Sequence, residues 1–166
     1  MIRIEYQLDI NAPIECVYQV SQDYSVRYEW DPFPESILFL QGATAIEKGT
    51  CVSVTAKNGL HMKVEFVQVL SPTTTAIVMR SGPRILKKFS GSWLFKSISP
   101  SETQAKFVYA IKAKGWSIPF ISEPIVKWYF TRVVKLRLNG LKRYCEACYA
   151  SSFEISKLSR LRKDLT

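Results

Sequence analysis

The segment Ser122–Tyr149 constrains the fold more than any other part of this chain, because it is the one long stretch with helical periodicity. Its apolar residues recur every three to four positions, which is the spacing of one buried helical face. These residues are Val126, Phe130, Val133, Val134, Leu138, Leu141, Cys145 and Cys148. Ser122 can cap the first turn and Pro124 is tolerated there, so together they mark a start. We therefore predict a long amphipathic helix that covers what precedes it.

The chain before this helix opens with one strand and two short helical pieces. Arg3–Asp9 alternates apolar and polar residues, as a half-buried strand does. Asn11 is placed to cap a helix that begins near Pro13, and Asp23 is placed to cap a second piece, Tyr24–Glu29.

From Ser36 onward the pattern is almost entirely that of β-strands separated by turn residues. The predicted strands are Ile37–Leu40, Thr50–Ala56, Leu60–Leu70, Thr73–Arg80, Lys88–Ile98 and Thr103–Lys114. Asn58-Gly59 is a strong signal for a tight hairpin turn between two of them. Successive neighbouring strands of this kind indicate an antiparallel meander, so the class is α+β.

Composition is typical of one globular domain rather than of a disordered chain. The 166 residues are 47% hydrophobic and 22% charged, and we predict a single domain over residues 1–150 followed by a basic tail over residues 151–166. No apolar run reaches the length of a transmembrane helix, and Met1–Glu5 does not resemble the start of a signal peptide. We expect a cytoplasmic protein.

The positive charge lies in the second half of the chain. Residues 1–79 carry five Lys or Arg and nine Asp or Glu, whereas residues 80–166 carry eighteen and five. Such asymmetry predicts a surface that meets an anionic partner, such as RNA, an acidic membrane or an acidic protein, unless it serves only to keep the protein soluble.

The four cysteines fit a cytoplasmic protein as small buried apolar residues. Cys145 and Cys148 form a CxxC, but it lies inside the helical pattern with no second CxxC or histidine pair. We therefore expect packing rather than a metal, and no cofactor.

The order of elements and the residues Asn11–Tyr18, Asp23 and Trp30–Pro32 resemble the START-like (SRPBCC) superfamily, especially its polyketide cyclase/dehydrase and coenzyme-Q-binding-protein-like branch. The resemblance implies the helix-grip fold, in which a curved antiparallel sheet of about seven strands wraps around a long C-terminal helix. It also implies a cavity between the sheet and the helix that suits a small hydrophobic ligand, such as a lipid, a quinone, an isoprenoid or a polyketide-like chain.

Strand and helix alternation predicts which side chains face that space. They are Leu60, Met62, Val64, Phe66, Phe89, Trp93, Phe95, Phe107, Tyr109, Ile111, Phe130, Val134 and Leu138. Trp30 is either a lid at the cavity mouth or a packing wedge beside the short helices. Many of these residues could equally form ordinary core.

Catalytic signals are sparse in the sequence. There is no GxSxG elbow, no glycine-rich phosphate loop and no cluster of metal ligands, and the single histidine, His61, alternates with apolar residues and should face solvent. Arg80, Tyr109 and Tyr129 are the residues that could hold or polarise a ligand oxygen, as cyclases of the superfamily do. We expect a carrier or chaperone of a hydrophobic ligand; the alternatives are an aromatase/cyclase-like enzyme and a ribosome- or RNA-associated protein that uses the basic half.

Overall fold

The computed structural model describes the backbone of residues 1–113 and 119–163, and the side chains of residues 1–112 and 124–152. Seven strands and three helices occur within these residues. They are β1 (Ile2–Ile10), α1 (Ile14–Gln22), α2 (Arg27–Trp30), β2 (Pro34–Phe39), β3 (Cys51–Ala56), β4 (His61–Leu70), β5 (Thr74–Ser81), β6 (Leu86–Ser99), β7 (Glu102–Ala113) and α3 (Pro119–Lys163).

The seven strands form one antiparallel sheet in the order β1-β7-β6-β5-β4-β3-β2. The meander therefore runs from β2 to β7, and β1 joins it at the far side by pairing with β7, where Ile4 lies opposite Tyr109. Register shifts interrupt the β2–β3, β4–β5 and β6–β7 pairings, and such bulges bend strands. The prediction of an α+β helix-grip fold is confirmed.

The long helix differs from its predicted bounds at both ends. It begins at Pro119, so Pro124 lies inside the helix rather than in its first turn, and it continues past Tyr149 to Lys163. Ser151 and Ser152 lie within the helix, and each hydroxyl donates a hydrogen bond to the carbonyl four residues earlier, at 2.9 Å. The backbone of the predicted tail is thus helical as far as Lys163, while its side chains from residue 153 lie outside the described part.

Both predicted caps of the short helices are wrong. The residue at the start of α1 is Pro13, with no side-chain cap, and the backbone N–H of Asn11 instead donates to Glu146 on α3 at 2.9 Å. Asp23 accepts a hydrogen bond from the N–H of Ser25 at 2.9 Å, which closes a local turn. Helix α2 begins later, at Arg27, and no side chain caps it. The bond from Asn11 links the start of α1 to a residue of α3 that lies 135 positions away.

Helix α3 packs on one side of the sheet, chiefly against β1 and β7, and also touches α1 and α2. Its contact with α2 is very close: a Cβ added at Gly140 would lie 2.0 Å from the Trp30 carbonyl oxygen. The backbone of α3 does not approach strands β2 to β6 as closely. The wider space between helix and sheet therefore lies on this side. No helix in the described ranges combines the length and hydrophobicity that crossing a membrane requires.

Candidate functional site

The side chains predicted to face the space between sheet and helix are buried, each with at most 5% of its surface exposed, except Leu60. Leu60 precedes β4 at the hairpin turn and is only half-buried, so its predicted position is wrong. Most of the buried ones form an aromatic core. Trp93 contacts Phe107 with ring centroids 4.4 Å apart, and Phe107 contacts Tyr109 at 4.7 Å, both edge to face. Trp30 joins this core by packing against Trp93 at 6.0 Å. Its position is that of the packing wedge rather than of a lid.

A cavity of about 50 Å³ remains between α2, α3 and strands β2 to β7, and we call it the inner cavity. Its lining residues are Tyr24, Arg27, Phe33, Pro34, Ile37, Val52, Val54, Met62, Val64, Ile77, Phe89, Tyr109 and Arg137. Of the predicted ligand-binding residues, the structure brings Met62, Val64, Phe89 and Tyr109 to this cavity. The others pack around it, so their role in binding stays a prediction.

A buried cluster of four polar residues adjoins the inner cavity: Arg27, Tyr109 and Arg137 line it, and Asp31 pairs with both arginines. Asp31 is 1% exposed and lies at the centre. Its Oδ2 accepts hydrogen bonds from Arg137 Nη2 at 2.8 Å and Nε at 3.1 Å. Arg27 Nε lies 2.9 Å from the same oxygen, without the alignment of a hydrogen bond. Arg137 also donates to the Tyr109 hydroxyl.

Aromatic rings enclose both guanidinium groups of the buried cluster. The Arg27 guanidinium lies 4.6 Å from the centre of the Trp30 ring and 5.0 Å from that of Tyr24. The Arg137 guanidinium lies 4.7 Å from the Phe107 ring centre and 5.3 Å from that of Phe33. Cation–π attraction to these rings offsets part of the cost of removing the charges from water.

The buried cluster contains two cations for one carboxylate. Burial favours the neutral form of Arg137, but the Asp31 carboxylate outweighs this and raises the pKa of Arg137 above its ordinary value. For Tyr109, burial raises the pKa, because the neutral form is the protonated one, so its hydroxyl keeps its proton at neutral pH. The wall of the inner cavity therefore carries an excess positive charge, which suits an anionic or strongly electronegative oxygen.

The three residues proposed to polarise a ligand oxygen are not brought together. Tyr109 belongs to the buried cluster. The Arg80 side chain is 58% exposed and pairs with Glu65 at 2.6 Å on the solvent side of β5. Tyr129 is half-buried, and its hydroxyl accepts a hydrogen bond from the Asn58 side chain at 2.7 Å. His61 lies exposed on β4 beside Thr55, as its alternation predicts.

The cysteines of the CxxC have different surroundings. Cys145 is fully buried and Cys148 is exposed. Burial raises the pKa of the Cys145 thiol, which disfavours the reactive thiolate. Among the side chains that the structure describes, no three His, Cys, Asp or Glu residues are grouped so that they could hold a metal ion.

A second recess, the outer groove, lies on the surface beside the inner cavity. It measures about 190 Å³. Its lining residues are Pro32, Phe33, Lys57, Asn58, Tyr129, Arg132, Val133 and Leu136. Phe33 lines both spaces. The Phe33 N–H donates to Asp31 Oδ1 at 3.1 Å, and its carbonyl accepts from the Lys57 N–H at 3.2 Å.

Sequence reasoning missed Arg27, Asp31 and Arg137 as members of the site. One signal was present: Arg137 falls three residues after Val134 and four before Leu141, within the apolar stripe of α3. A charged residue at such a position means either that the buried face has been assigned wrongly or that the charged group is buried together with a partner.

Comparison with solved structures places this architecture among known helix-grip proteins. A protein from Thermus thermophilus aligns with a TM-score of 0.73 at 16% identity, covering 89% of this chain and 99% of its own. A START superfamily protein from Mycobacterium smegmatis gives 0.73 at 11% identity, covering 88% and 98%. The Zhui aromatase/cyclase from Streptomyces sp. R1128 gives 0.74 at 16% identity, covering 87% and 93%. At these identities the likeness shows a shared fold.

The fold and its buried cavity thus define a START-like protein of the helix-grip class. Residues 1–146 match the family described as polyketide cyclase / dehydrase and lipid transport, and the chain belongs to that family. No curated protein matches the sequence.

Proposed function

We propose that this protein binds a small hydrophobic ligand between the sheet and α3, with an oxygen-bearing end of the ligand held by the buried cluster, and that it carries or chaperones that ligand. The main support for this proposal is that two buried guanidinium groups, those of Arg27 and Arg137, lie at the wall of the inner cavity and share a single carboxylate, that of Asp31. Membership of a family of cyclases and lipid-transport proteins supports the same conclusion.

The chemistry of the cluster favours a carboxylate or a carbonyl oxygen over a purely apolar ligand. A guanidinium has five N–H donors in a planar fork. Arg137 places two of these on Asp31 and one on the Tyr109 hydroxyl. A negatively charged ligand oxygen near Arg27 and Arg137 would supply the second negative charge that the cluster lacks. Apolar lining residues such as Val52, Val64 and Phe89 would enclose the rest of the molecule.

Binding requires the inner cavity to open. About 50 Å³ has room for a few water molecules, whereas pockets for drug-sized ligands measure about 300–1,000 Å³. The half-buried side chain of Phe33 is the barrier between the outer groove and the inner cavity. Displacing that ring would join the two spaces, and the backbone of α3 lies farther from strands β2 to β5 than from β1 and β7, which leaves room for the joined space to widen.

We expect the wild-type protein to bind dodecanoate at least about tenfold more tightly than dodecanol, because a charge-assisted hydrogen bond to a guanidinium contributes about 1.5–3 kcal/mol. Arg137→Met should reduce this preference to about one, since it removes the excess cation. Isothermal titration calorimetry of both ligands, with circular dichroism to verify folding, measures the ratio.

Arg80→Met is the matched control for the dodecanoate experiment, because it removes an arginine that pairs with Glu65 at the surface. It should leave both affinities unchanged. Equal affinity for the acid and the alcohol in the wild-type protein would contradict the role of the buried cluster. Failure to bind either molecule, with no small molecule released from the purified protein in native mass spectrometry, would contradict ligand binding itself.

Phe33→Ala should raise the association rate constant of dodecanoate about tenfold or more. If only an open state, populated at about 1–10%, admits the ligand, the association rate constant of the wild type is reduced by that fraction, and a permanently open wall removes the reduction. Stopped-flow fluorescence measures the rate. Phe39→Ala is the control, because Phe39 is a half-buried aromatic that packs against Tyr24 without lining either space. An unchanged rate in Phe33→Ala would place the route elsewhere.

An aromatase/cyclase-like activity is the second candidate. It is favoured by the Tyr109 hydroxyl, which receives a hydrogen bond from Arg137 at the wall of the inner cavity and could thus donate its proton toward a ketone oxygen. The likeness to the Zhui aromatase/cyclase points the same way. Turnover of a poly-β-ketone chain that Tyr109→Phe abolishes would favour the enzyme; binding without turnover favours the carrier.

A further inference from the structure

The solvent side of α3 displays large apolar side chains that the fold does not cover. Trp128 is 66% exposed, Ile125 60% and Leu136 46%. They lie among exposed basic residues, and we call the whole set the outer face of α3. It consists of Ile125, Trp128, Arg132, Lys135, Leu136 and Arg143.

The outer face of α3 is continuous and lacks negative charge. Its members follow one another at helical spacings of three, four or seven residues, with Lys135 beside Leu136, so they share one side of the helix. The fully buried residues Val134, Leu138 and Leu141 lie on the opposite side. From Pro124 to Cys145 the sequence contains no Asp or Glu. The face therefore combines apolar and cationic groups without any acidic residue among them.

We propose that the outer face of α3 docks on an anionic lipid bilayer. The basic residues would lie against lipid phosphates, and Trp128, Ile125 and Leu136 would enter the interface between headgroups and acyl chains. Tryptophan is enriched at this depth, and basic groups are attracted by the negative surface potential.

The composition of the outer face favours a bilayer over other anionic partners. RNA could stack a base on Trp128, but it offers no apolar medium for the aliphatic side chains of Ile125 and Leu136. A second copy of the chain, related by a two-fold axis, would place these cations against the same cations, and such like-charge contacts are unfavourable.

The outer face also adjoins the outer groove, because Arg132 and Leu136 belong to both. A docked protein would hold the groove, and the Phe33 barrier beyond it, beside the bilayer. Docking by itself needs no bound ligand, so it can be tested independently of the function proposed above.

Flotation with phosphatidylcholine–phosphatidylserine vesicles, and with pure phosphatidylcholine vesicles, tests this proposal. We expect the wild-type protein to float with the anionic vesicles and to bind the neutral ones at least about tenfold more weakly. Arg132→Glu with Arg143→Glu should lower the affinity for anionic vesicles at least about tenfold, and Trp128→Ser should also lower it. All three substitutions are at exposed positions, so thermal unfolding should resemble that of the wild type.

The charge-matched control is Lys87→Glu with Lys96→Glu, which reverses two exposed cations on β6. It should retain most of the vesicle binding. An equal loss of vesicle binding in this control would mean that binding depends only on the net charge of the protein, and would overturn the proposal. So would a wild-type protein that stays unbound, unchanged binding in Trp128→Ser, or binding of single-stranded RNA in place of vesicles.

Discussion

Asp31→Asn is expected to destabilise the protein by about 3–5 kcal/mol, because it removes the carboxylate between two buried guanidinium groups. Arg27 and Arg137, which are 4% and 7% exposed, would then lie close together without that counter-charge. The substitution preserves the shape of the side chain, so the loss reports the charge rather than a cavity. Urea denaturation followed by circular dichroism measures it.

Two variants interpret the result for Asp31. Glu35→Gln neutralises an exposed carboxylate on β2 and should change stability by less than about 0.5 kcal/mol. Combining Asp31→Asn with Arg137→Met should be less harmful than the sum of the single variants, since the second removes one of the uncompensated cations. An additive double variant, or a stable Asp31→Asn protein, would show that Asp31 does not neutralise the cluster.

The second large effect is expected at Gly140. In Gly140→Ala the new Cβ would lie 2.0 Å from the Trp30 carbonyl oxygen, and a backbone atom cannot rotate away. Alanine should favour the helix by about 1 kcal/mol, but overpacking of this kind costs about 1–3 kcal/mol or more. We expect a net loss near 2 kcal/mol in urea denaturation, with α2 displaced from α3.

Asn139→Ala is the control for Gly140→Ala, because Asn139 is the adjacent residue of α3 and faces solvent. Its effect should stay within about 0.5 kcal/mol. A Gly140→Ala protein as stable as the wild type would mean that α2 and α3 can separate at little cost. The contact between Gly140 and Trp30 would then not be what holds Arg27 and Asp31, at the two ends of α2, in place beside α3.

The sheet and its buried face were accessible from the sequence because strand alternation determines which side chains share a face. Phe89, Trp93 and Phe95 on β6 are all buried, and so are Phe107 and Tyr109 on β7. The pairing of β1 with β7 is different. It joins the first and the last strand of the chain, so local periodicity says nothing about it.

The buried cluster was not accessible because its parts are polar and distant in sequence. Arg137 and Asp31 are 106 positions apart, and each alone has the character of a surface residue. Local rules also failed for Asn11, because the residue at the N-cap of α1 is Pro13 and no side chain caps that helix. Alternation also cannot measure volume, so it predicted a facing set of side chains without showing that most of them pack solidly.

The inner cavity draws its lining from two kinds of position. Arg27, Tyr109 and Arg137 belong to the buried cluster, so substitutions there change the charge balance of the core as well as the cavity wall. Val52, Val54 and Ile77, on β3 and β5, line the same cavity without belonging to that cluster. Substitutions of these three apolar side chains are therefore expected to alter the shape of the space while leaving the cluster that links α2 to α3 intact.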